Sequence, residues 1–300
     1  MLRVAVIGTS NWLDVTAELL RRAGLRCDVL QFRGRSALVK AALRGDFRAY
    51  DVIHQVGGRA RVPGLLFKLL GKPVVWHWIG TDVMHYGKIH AGGGGLRGAV
   101  DRFIAHRCAA AHVADSPQLA DELRGYGIES QVVRLLPSAV EAEVQPLPEQ
   151  PAVLNYWRPH SRAFYHAPMV MQLAEAFPAV TFYVAGDDGE GLDGPENVIF
   201  LGSLPGLDDI YGKISVYLRV VEHDSLSAIV LEALARGRYV IYSEPFPHTQ
   251  KACDLASCRD ALKKLLAQTE PHQAGAEYVR KHFNLEHEAV MLSTVYDLFE

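Results

Sequence analysis

Residues 222–242, EHDSLSAIVLEALARGRYVIY, decide how the chain reads. Two acids, Asp224 and Glu232, stand eight positions apart, with a Ser-Leu-Ser turn and an apolar helical run between them. Eight helical residues rise about 12 Å, close to the span between the sugar and the ribose of a nucleotide sugar. A helix beginning here also aims unpaired main-chain N–H groups outward, where a pyrophosphate fits. The same residues admit a plainer assignment. Asp224 suits a helix N-cap, a role Ser225 or Ser227 can share, and Glu232 can pair with Arg236 one turn further on.

The chain has 300 residues, 49% apolar and 22% charged. That length suits two domains with separate cores, and that balance suits a soluble globular protein. No run of eighteen apolar residues appears, so no bilayer-spanning helix is expected. The opening MLRVAVIGTSNW reads as a strand and turn rather than a signal peptide. Cys27, Cys108, Cys253 and Cys258 match no zinc spacing, which points to reduced thiols and a cytoplasmic protein. The net charge of −3 is unevenly placed: residues 1–140 carry 19 Lys+Arg and 11 Asp+Glu, and residues 141–300 carry 12 and 23. A basic first half suits an anionic acceptor or a peripheral contact with the inner face of a membrane, and equally suits attraction to the acidic half.

Working outward, strands are expected at 2–8, 26–32, 51–55, 73–79, 110–114 and 130–136, with helices between them at 12–23, 63–71 and 116–125. After a Pro- and Glu-rich linker the pattern restarts, with strands at 152–157, 179–185, 197–201, 215–219 and 239–243. Helices are expected at 164–177, 226–236, 258–268 and 276–298. Alternation of this kind predicts parallel sheets covered on both faces. The expected division is 1–140, a linker at 141–151, 152–275, and a C-terminal helix at 276–300 that packs back on the first domain. Two such α/β halves predict a ligand in the cleft between them, at the carboxyl ends of the strands.

Further candidates follow those strands. The first turn, Gly8-Thr9-Ser10-Asn11, lacks the glycines of a dinucleotide fingerprint, which disfavours a dehydrogenase. Thr9, Ser10 and Asn11 suit an acceptor site or a plain turn. Asp82 lies just past the strand at 73–79, placed to orient or deprotonate a hydroxyl or to cap a helix. His77 and His85 are candidates for the same proton transfer. His77 and Ile79 share one strand face, and Trp76 and Trp78 share the other. Gly92 to Gly95 read as a mobile loop. The apolar stretch 64–72 carries two lysines and suits lipid headgroups or, more simply, packing on a sheet. Arg158 and Arg162 follow a strand and could clamp a diphosphate. The acidic loop 186–191, with Gly202 and Ser203, could border a base.

Taken together these residues resemble the retaining glycosyltransferases of family four, which have the GT-B fold of two Rossmann-like domains facing a cleft. The resemblance rests on DSLSAIVLE at 224–232 with the following ALARGRYVI, on GTD at 80–82, on ADSPQLADELRGYGI at 114–128, on LLPSAVE at 135–141, and on VAG at 184–186 with NVIFLGSLP at 197–205. It implies metal-independent transfer of a sugar from a UDP- or GDP-linked donor to a hydroxyl, with retained configuration and no cofactor. By residue, it implies that Asp224 holds donor-sugar hydroxyls, that the amides of Ser225, Leu226 and Ser227 face the phosphates, that Glu232 binds ribose and that Arg158 meets the diphosphate. The chain departs from the pattern at three points. Asp224 replaces a glutamate. Ile79 stands where the family has histidine, with His77 as the substitute. Arg162 replaces a lysine. The expected acceptor is lipid-linked or a cell-envelope glycan. Two other functions fit the same architecture: a non-catalytic nucleotide-sugar binder that assists a partner, and a sugar epimerase.

Overall fold

A computed structural model of the chain describes residues 2–8, 10–57, 61–91 and 95–299. It forms two compact units, the first made of Met1–Leu136 with Asn284–Glu300 and the second of Pro137–Phe283.

In the first unit β1 (Arg3–Gly8), α1 (Ser10–Arg22), β2 (Arg26–Val29), α2 (Arg35–Arg44), β3 (Val52–Val56) and α3 (Arg61–Leu69) lead into β4 (Val74–Trp78). Then come α4 (Thr81–His90), α5 (Gly95–Cys108), β5 (Ala111–Ala114), α6 (Pro117–Gly125) and β6 (Gln131–Val132). The second unit holds β7 (Ala152–Tyr156), α7 (Ala167–Ala176), β8 (Thr181–Ala185), β9 (Val198–Gly202), α8 (Asp208–Tyr211), β10 (Val216–Arg219) and α9 (Ala228–Ala235). It closes with β11 (Tyr239–Tyr242), β12 (Gln250–Lys251), α10 (Leu255–Leu266) and α11 (Gln273–His282), before α12 (Leu285–Tyr296).

The first sheet is parallel, in the order β2-β1-β3-β4-β5-β6. Its inner strands β1, β3 and β4 are largely apolar and buried because both faces are covered. Val4, Val6, Val75 and Val113 form one core cluster with residues of α1 and α12. Ala5, Ile7, Ile53 and Val74 pack with α2 and α3 on the opposite face, where Trp76 and Trp78 stack at 4.1 Å and join α4, α5 and α6. Helix α1 buries Leu13, Thr16, Ala17 and Leu20, the i, i+3, i+4, i+7 stripe of a helix lying on a sheet. Gly8 ends β1 at φ 134°, and a Cβ there would come to 2.0 Å from the Val56 carbonyl oxygen, so only glycine lets β1 and β3 close at this point.

The expected single helix at 276–298 is two helices. It breaks at Phe283, and the Asn284 side chain then caps α12 by accepting from the amides of Glu286 and His287 at 2.8 and 3.2 Å. The break is where the chain passes from the second unit to the first. Helix α12 is tied to the sheet by a buried polar chain. The Tyr296 hydroxyl lies 2.7 Å from His54 Nδ1, His54 Nε2 lies 3.2 Å from His77 Nδ1, and His77 Nε2 lies 3.0 Å from the Val133 carbonyl oxygen. A carbonyl only accepts, so His77 carries its proton on Nε2. His54 then donates to His77 and accepts from Tyr296. Burial keeps both rings neutral, lowering the pKa of His77 to about 4 and that of His54 well below the usual value.

The second sheet, β12-β11-β10-β7-β8-β9, is also parallel. Val153, Phe182, Val184, Val216, Leu218 and Ile241 build its core with α7 and α10. The Pro-rich segment 137–151 lies within this unit. Fully buried Arg238 donates to the carbonyl oxygens of Gln145, Pro146 and Ile214 at 2.7, 2.8 and 3.1 Å, which fixes that segment to the turn that leads into β10. Among the described residues no helix is long and apolar enough to cross a membrane.

The polar chain beneath α12 makes a testable demand. Tyr296→Phe removes the proton that His54 accepts and leaves a buried ring nitrogen without a donor, so it should lower stability by roughly 1–3 kcal/mol in urea unfolding. A change below about 0.3 kcal/mol would show that α12 is held by its apolar stripe alone.

Candidate functional site

In the second sheet β7 is the first strand, and the chain winds outward from it in both directions. The winding reverses between β7 and β10. A crevice opens at the carboxyl ends of strands on either side of such a switch point. Arg158 stands two residues past β7, Arg219 ends β10, and Asp224 follows in the next loop.

Asp224 is nearly buried, with 12% of its side chain exposed. Its Oδ2 accepts from Arg219 Nε at 2.5 Å and from the Tyr242 hydroxyl at 2.8 Å, while Oδ1 accepts from the Ser225 amide at 3.2 Å. Burial by itself would raise its pKa. The Arg219 charge and these hydrogen bonds outweigh burial and hold the carboxyl below its ordinary range. A carboxylate offers about four acceptor positions, so Asp224 keeps one on Oδ1 for a further donor. The Tyr165 ring lies 5.7 Å from the Arg219 guanidinium and meets the Tyr156 ring edge-on at 5.9 Å. The Tyr156 hydroxyl in turn accepts from Arg158 Nε at 3.0 Å. Two tyrosines thus gather Arg158, Arg219 and Asp224 into one cluster.

The helix start differs from expectation. Helix α9 begins at Ala228, not at 226, with Ser227 in the N-cap position and no side-chain cap bond. Asp224 is therefore not the N-cap. Of the amides of Ser225, Leu226 and Ser227, the first is held by Asp224. Glu232 lies one turn into α9 and is half-buried. The Tyr211 hydroxyl donates to its Oε2 at 2.8 Å, and burial raises its pKa. Arg236 lies over the Tyr211 ring at 4.6 Å, pairs with Asp208 and donates to the Glu232 carbonyl oxygen at 3.2 Å.

Arg162 serves a different purpose from the expected diphosphate clamp. Its guanidinium grips both oxygens of buried Asp187 at 2.7 and 2.8 Å and the Glu190 carbonyl oxygen at 3.0 Å, and Trp157 Nε1 also donates to Asp187 at 3.0 Å. Gly202, at φ 63°, donates to the Asp187 carbonyl oxygen at 3.0 Å and accepts from Gly186 at 2.8 Å. These bonds shape the loop at 186–191.

In the first sheet the switch point lies between β1 and β3. The turn after β1 falls there, with Ser10 and Asn11 opening α1; their side chains, Thr9, and Gly92 to Gly94 lie outside the described residues. Asp82 follows β4 and is half-buried at the start of α4. Its Oδ1 accepts from the amides of Ile79, Gly80 and Val83 at 3.1, 3.0 and 3.0 Å. Burial lifts its pKa to about 6 against the pull of those amides. The expectation that His77 transfers a proton fails on geometry. Its ring is fully buried and both nitrogens are bonded within the protein. His85 Nδ1 lies 2.6 Å from the Thr81 carbonyl oxygen.

Residues 3–139 match the family model of the glycosyl transferase 4-like domain. HepE from Anabaena, solved with UDP and glucose, is 12% identical and superposes with a TM-score of 0.75, covering 99% of both chains. Sucrose-phosphate synthase from Thermosynechococcus elongatus gives 0.76 at 16% identity, covering 99% of this chain and 98% of its own. The lipopolysaccharide outer core galactosyltransferase WaaB gives 0.66 at 11% identity, covering 99% of both. A search of curated protein sequences finds no match. The likenesses show the GT-B fold across the chain.

Sequence reasoning missed the partners that hold these acids. Arg219 and Tyr242 end neighbouring strands β10 and β11, and polar residues at parallel-strand ends are the signal that finds them. It also missed Asp115 and Glu288. Asp115 follows β5, and its Oδ1 accepts from the Leu135 amide at 2.6 Å. Glu288, on the buried stripe of α12, accepts from the Arg134 amide at 2.8 Å and from its guanidinium at 3.0 Å. Burial, with Glu288 and Asp82 nearby, raises the Asp115 pKa from 3.8 to about 7.

A carboxyl whose pKa is raised on folding binds its proton more tightly in the folded state, so stability falls as pH rises through the folded value. Asp115→Asn keeps an oxygen for the Leu135 amide and removes the buried charge. The variant should gain on the order of 1–4 kcal/mol above pH 7, at about 1.4 kcal/mol per pKa unit, and lose that advantage below about pH 4. Equal urea-unfolding stability of the two proteins at pH 8 contradicts the assignment.

Proposed function

We propose that this chain transfers a sugar from a nucleoside diphosphate sugar to a hydroxyl acceptor, with retention of configuration, and that the second unit holds the donor. The observation that carries this reading is the cluster at the β7/β10 switch point, where Asp224, with a free acceptor position, stands among Arg219, Arg158 and the first turn of α9. UDP in the HepE structure, which shares the fold, supports the same reading.

In this reading Asp224 takes a donor-sugar hydroxyl on Oδ1. Arg219 keeps it ionised and fixes its direction. Arg158, its Nε held by the Tyr156 hydroxyl, offers its remaining N–H groups to the diphosphate. The leading amides of α9 face the same phosphates. Glu232, braced by Tyr211, accepts from the ribose hydroxyls. The acceptor oxygen bonds to the anomeric carbon as the bond from that carbon to phosphate oxygen breaks. The departing phosphate takes the acceptor proton on the same face, so no enzyme nucleophile is needed. Asp82, whose pKa burial lifts to about 6, is the first unit's own candidate for binding an acceptor hydroxyl. The acceptor is lipid-linked or a cell-envelope glycan.

A second reading, a nucleotide-sugar binder without turnover, draws on the engagement of both His77 nitrogens in the core. Donor hydrolysis and transfer assays separate the two.

Calorimetry should detect UDP or GDP. Glu232→Ala should weaken that binding roughly 10-fold by removing ribose hydrogen bonds. Asp224→Asn should leave nucleotide affinity within a few fold while lowering transfer by about 100-fold or more. Unchanged nucleotide affinity in Glu232→Ala would remove the ribose assignment, and failure to bind any nucleoside diphosphate would falsify the donor site.

A further inference from the structure

Helix α1 ends in two arginines, Arg21 and Arg22, and Gly24 at φ 79° turns the chain from it into the edge strand β2. That turn brings Arg21 of the helix and Arg26, the first residue of the strand, to the same cavity. Arg26 is also the register partner of Arg3, the first residue of β1. Register partners in a parallel pair carry their side chains on the same sheet face, about 5 Å apart, and Asp28, two residues beyond Arg26, shares that face. Arg3, Arg21, Leu25, Arg26, Cys27 and Asp28 line a cavity of about 500 Å³. It lies at the amino ends of β1 and β2, whereas the switch-point crevice of this sheet lies at the carboxyl ends.

The charges on this wall are not balanced. Arg3 donates from Nε and Nη2 to Asp28 Oδ2 at 3.1 and 2.8 Å, and its guanidinium lies 4.9 Å from the centre of the Tyr50 ring. Those contacts fix Arg3 in place, and its hydrogen bonds hold the Asp28 carboxyl below the ordinary carboxylate range. Arg22 is occupied by Glu18 and Glu286. Among the described residues, the side chains of Arg21 and Arg26 make no hydrogen bond or ion pair. The helix-end dipole favours a cation at Arg21, but it gives no reason for Arg26 or for a cavity. Three guanidiniums against one carboxylate leave the lining two positive charges in excess. A phosphate monoester carries close to two negative charges at neutral pH and offers three strong acceptor oxygens, which guanidinium groups match in pairs. The volume lies within the roughly 300–1,000 Å³ of small-molecule sites, so it admits a body attached to the phosphate, with Leu25 and Cys27 as the less polar part of the wall. None of the large apolar side chains that stand exposed among the described residues lines the cavity. Nothing here would enter a bilayer, which points to a soluble molecule.

We propose that this cavity binds the phosphate group of a small soluble phosphomonoester. Arg21 and Arg26 grip the phosphate, and Arg3, held by Asp28 and Tyr50, adds a third cation through its unbonded Nη1 group. The site involves the first unit alone. It goes beyond the proposed glycosyl transfer and does not depend on it.

The test is calorimetric titration of the full chain with glycerol 2-phosphate, with inorganic phosphate and with glycerol, at matched ionic strength. Both phosphates should bind, glycerol should not, and affinity should fall as sodium chloride is raised. Arg21→Met and Arg26→Met, each at an exposed residue, should weaken both phosphates by about tenfold or more, with melting temperature unchanged. Arg259→Met, at an exposed arginine on α10, should leave both affinities as they are. Arg158→Met reports phosphate held at the proposed diphosphate site instead. Binding lost in that variant and intact in Arg21→Met and Arg26→Met overturns the proposal. So does a failure of glycerol 2-phosphate to bind, or binding untouched by the α1 and β2 changes. Flotation with phosphatidic acid vesicles that the same two changes abolish would assign the cavity to a lipid headgroup and overturn the soluble ligand. UDP or GDP titration of Arg21→Met and Arg26→Met reports separately on the donor site.

Discussion

A parallel sheet covered on both faces has no room for unpaired polar groups along its strands. Main-chain groups bond to neighbouring strands, side chains on both faces meet helices, and polar chemistry collects where strands end. The charged groups of both sheets obey that constraint, while polar groups within the strands are either paired, as in the His54–His77 chain, or buried without a partner, as at Gln55 and Trp76. At the carboxyl ends of β7, β10 and β11 stand Arg158, Arg219, Asp224 and Tyr242; beyond β4 and β5 stand Asp82 and Asp115. The site is a product of the fold before it is a product of any single residue.

Within that frame, charge is placed by pairs. Asp224 is buried deeply enough that desolvation would protonate it more readily, and Arg219 reverses this. Asp187 is likewise held ionised by Arg162. Asp82 and Asp115 rely on amides in place of a direct cation, and burial prevails in both, leaving pKa values near 6 and 7. Acids of one residue type therefore span very different proton affinities, according to whether a guanidinium or only a main-chain dipole faces them.

The fold was legible because long apolar runs separated by turns mark buried parallel strands. Eleven of the twelve strands among the described residues fall where such runs lie; β12, two residues long, has no pattern to show. Several helices, such as α2 and α4, were not read, since their apolar stripes are broken by charges and glycine. The C-terminal helix was read as continuous because Phe283-Asn284-Leu285 contains neither Gly nor Pro, although Asn284 is itself a helix-start residue. In the site, the eight-residue separation of Asp224 and Glu232 is visible, with a turn and then a helix expected from 226; the helix begins two residues later, at Ala228. The partners of each acid were not visible, because Arg219, Tyr242 and Tyr211 reach it through space with no periodic signal. His77 misled for a related reason. A histidine on a strand reads the same whether it faces a ligand or donates, as here, to a buried carbonyl.

Because α12 belongs to the first unit, that unit is assembled from the two extremes of the chain, with the whole second unit inserted between them. During synthesis the first sheet emerges long before its last cover. Until Leu292, Val295 and Tyr296 arrive, Val4, Val6, Val75 and Val113 lack part of the packing that buries them. The contiguous second unit has no such delay. A nascent chain should thus finish its second unit while its first is still open, and removing residues 289–299 would injure the unit whose sheet was translated before the other.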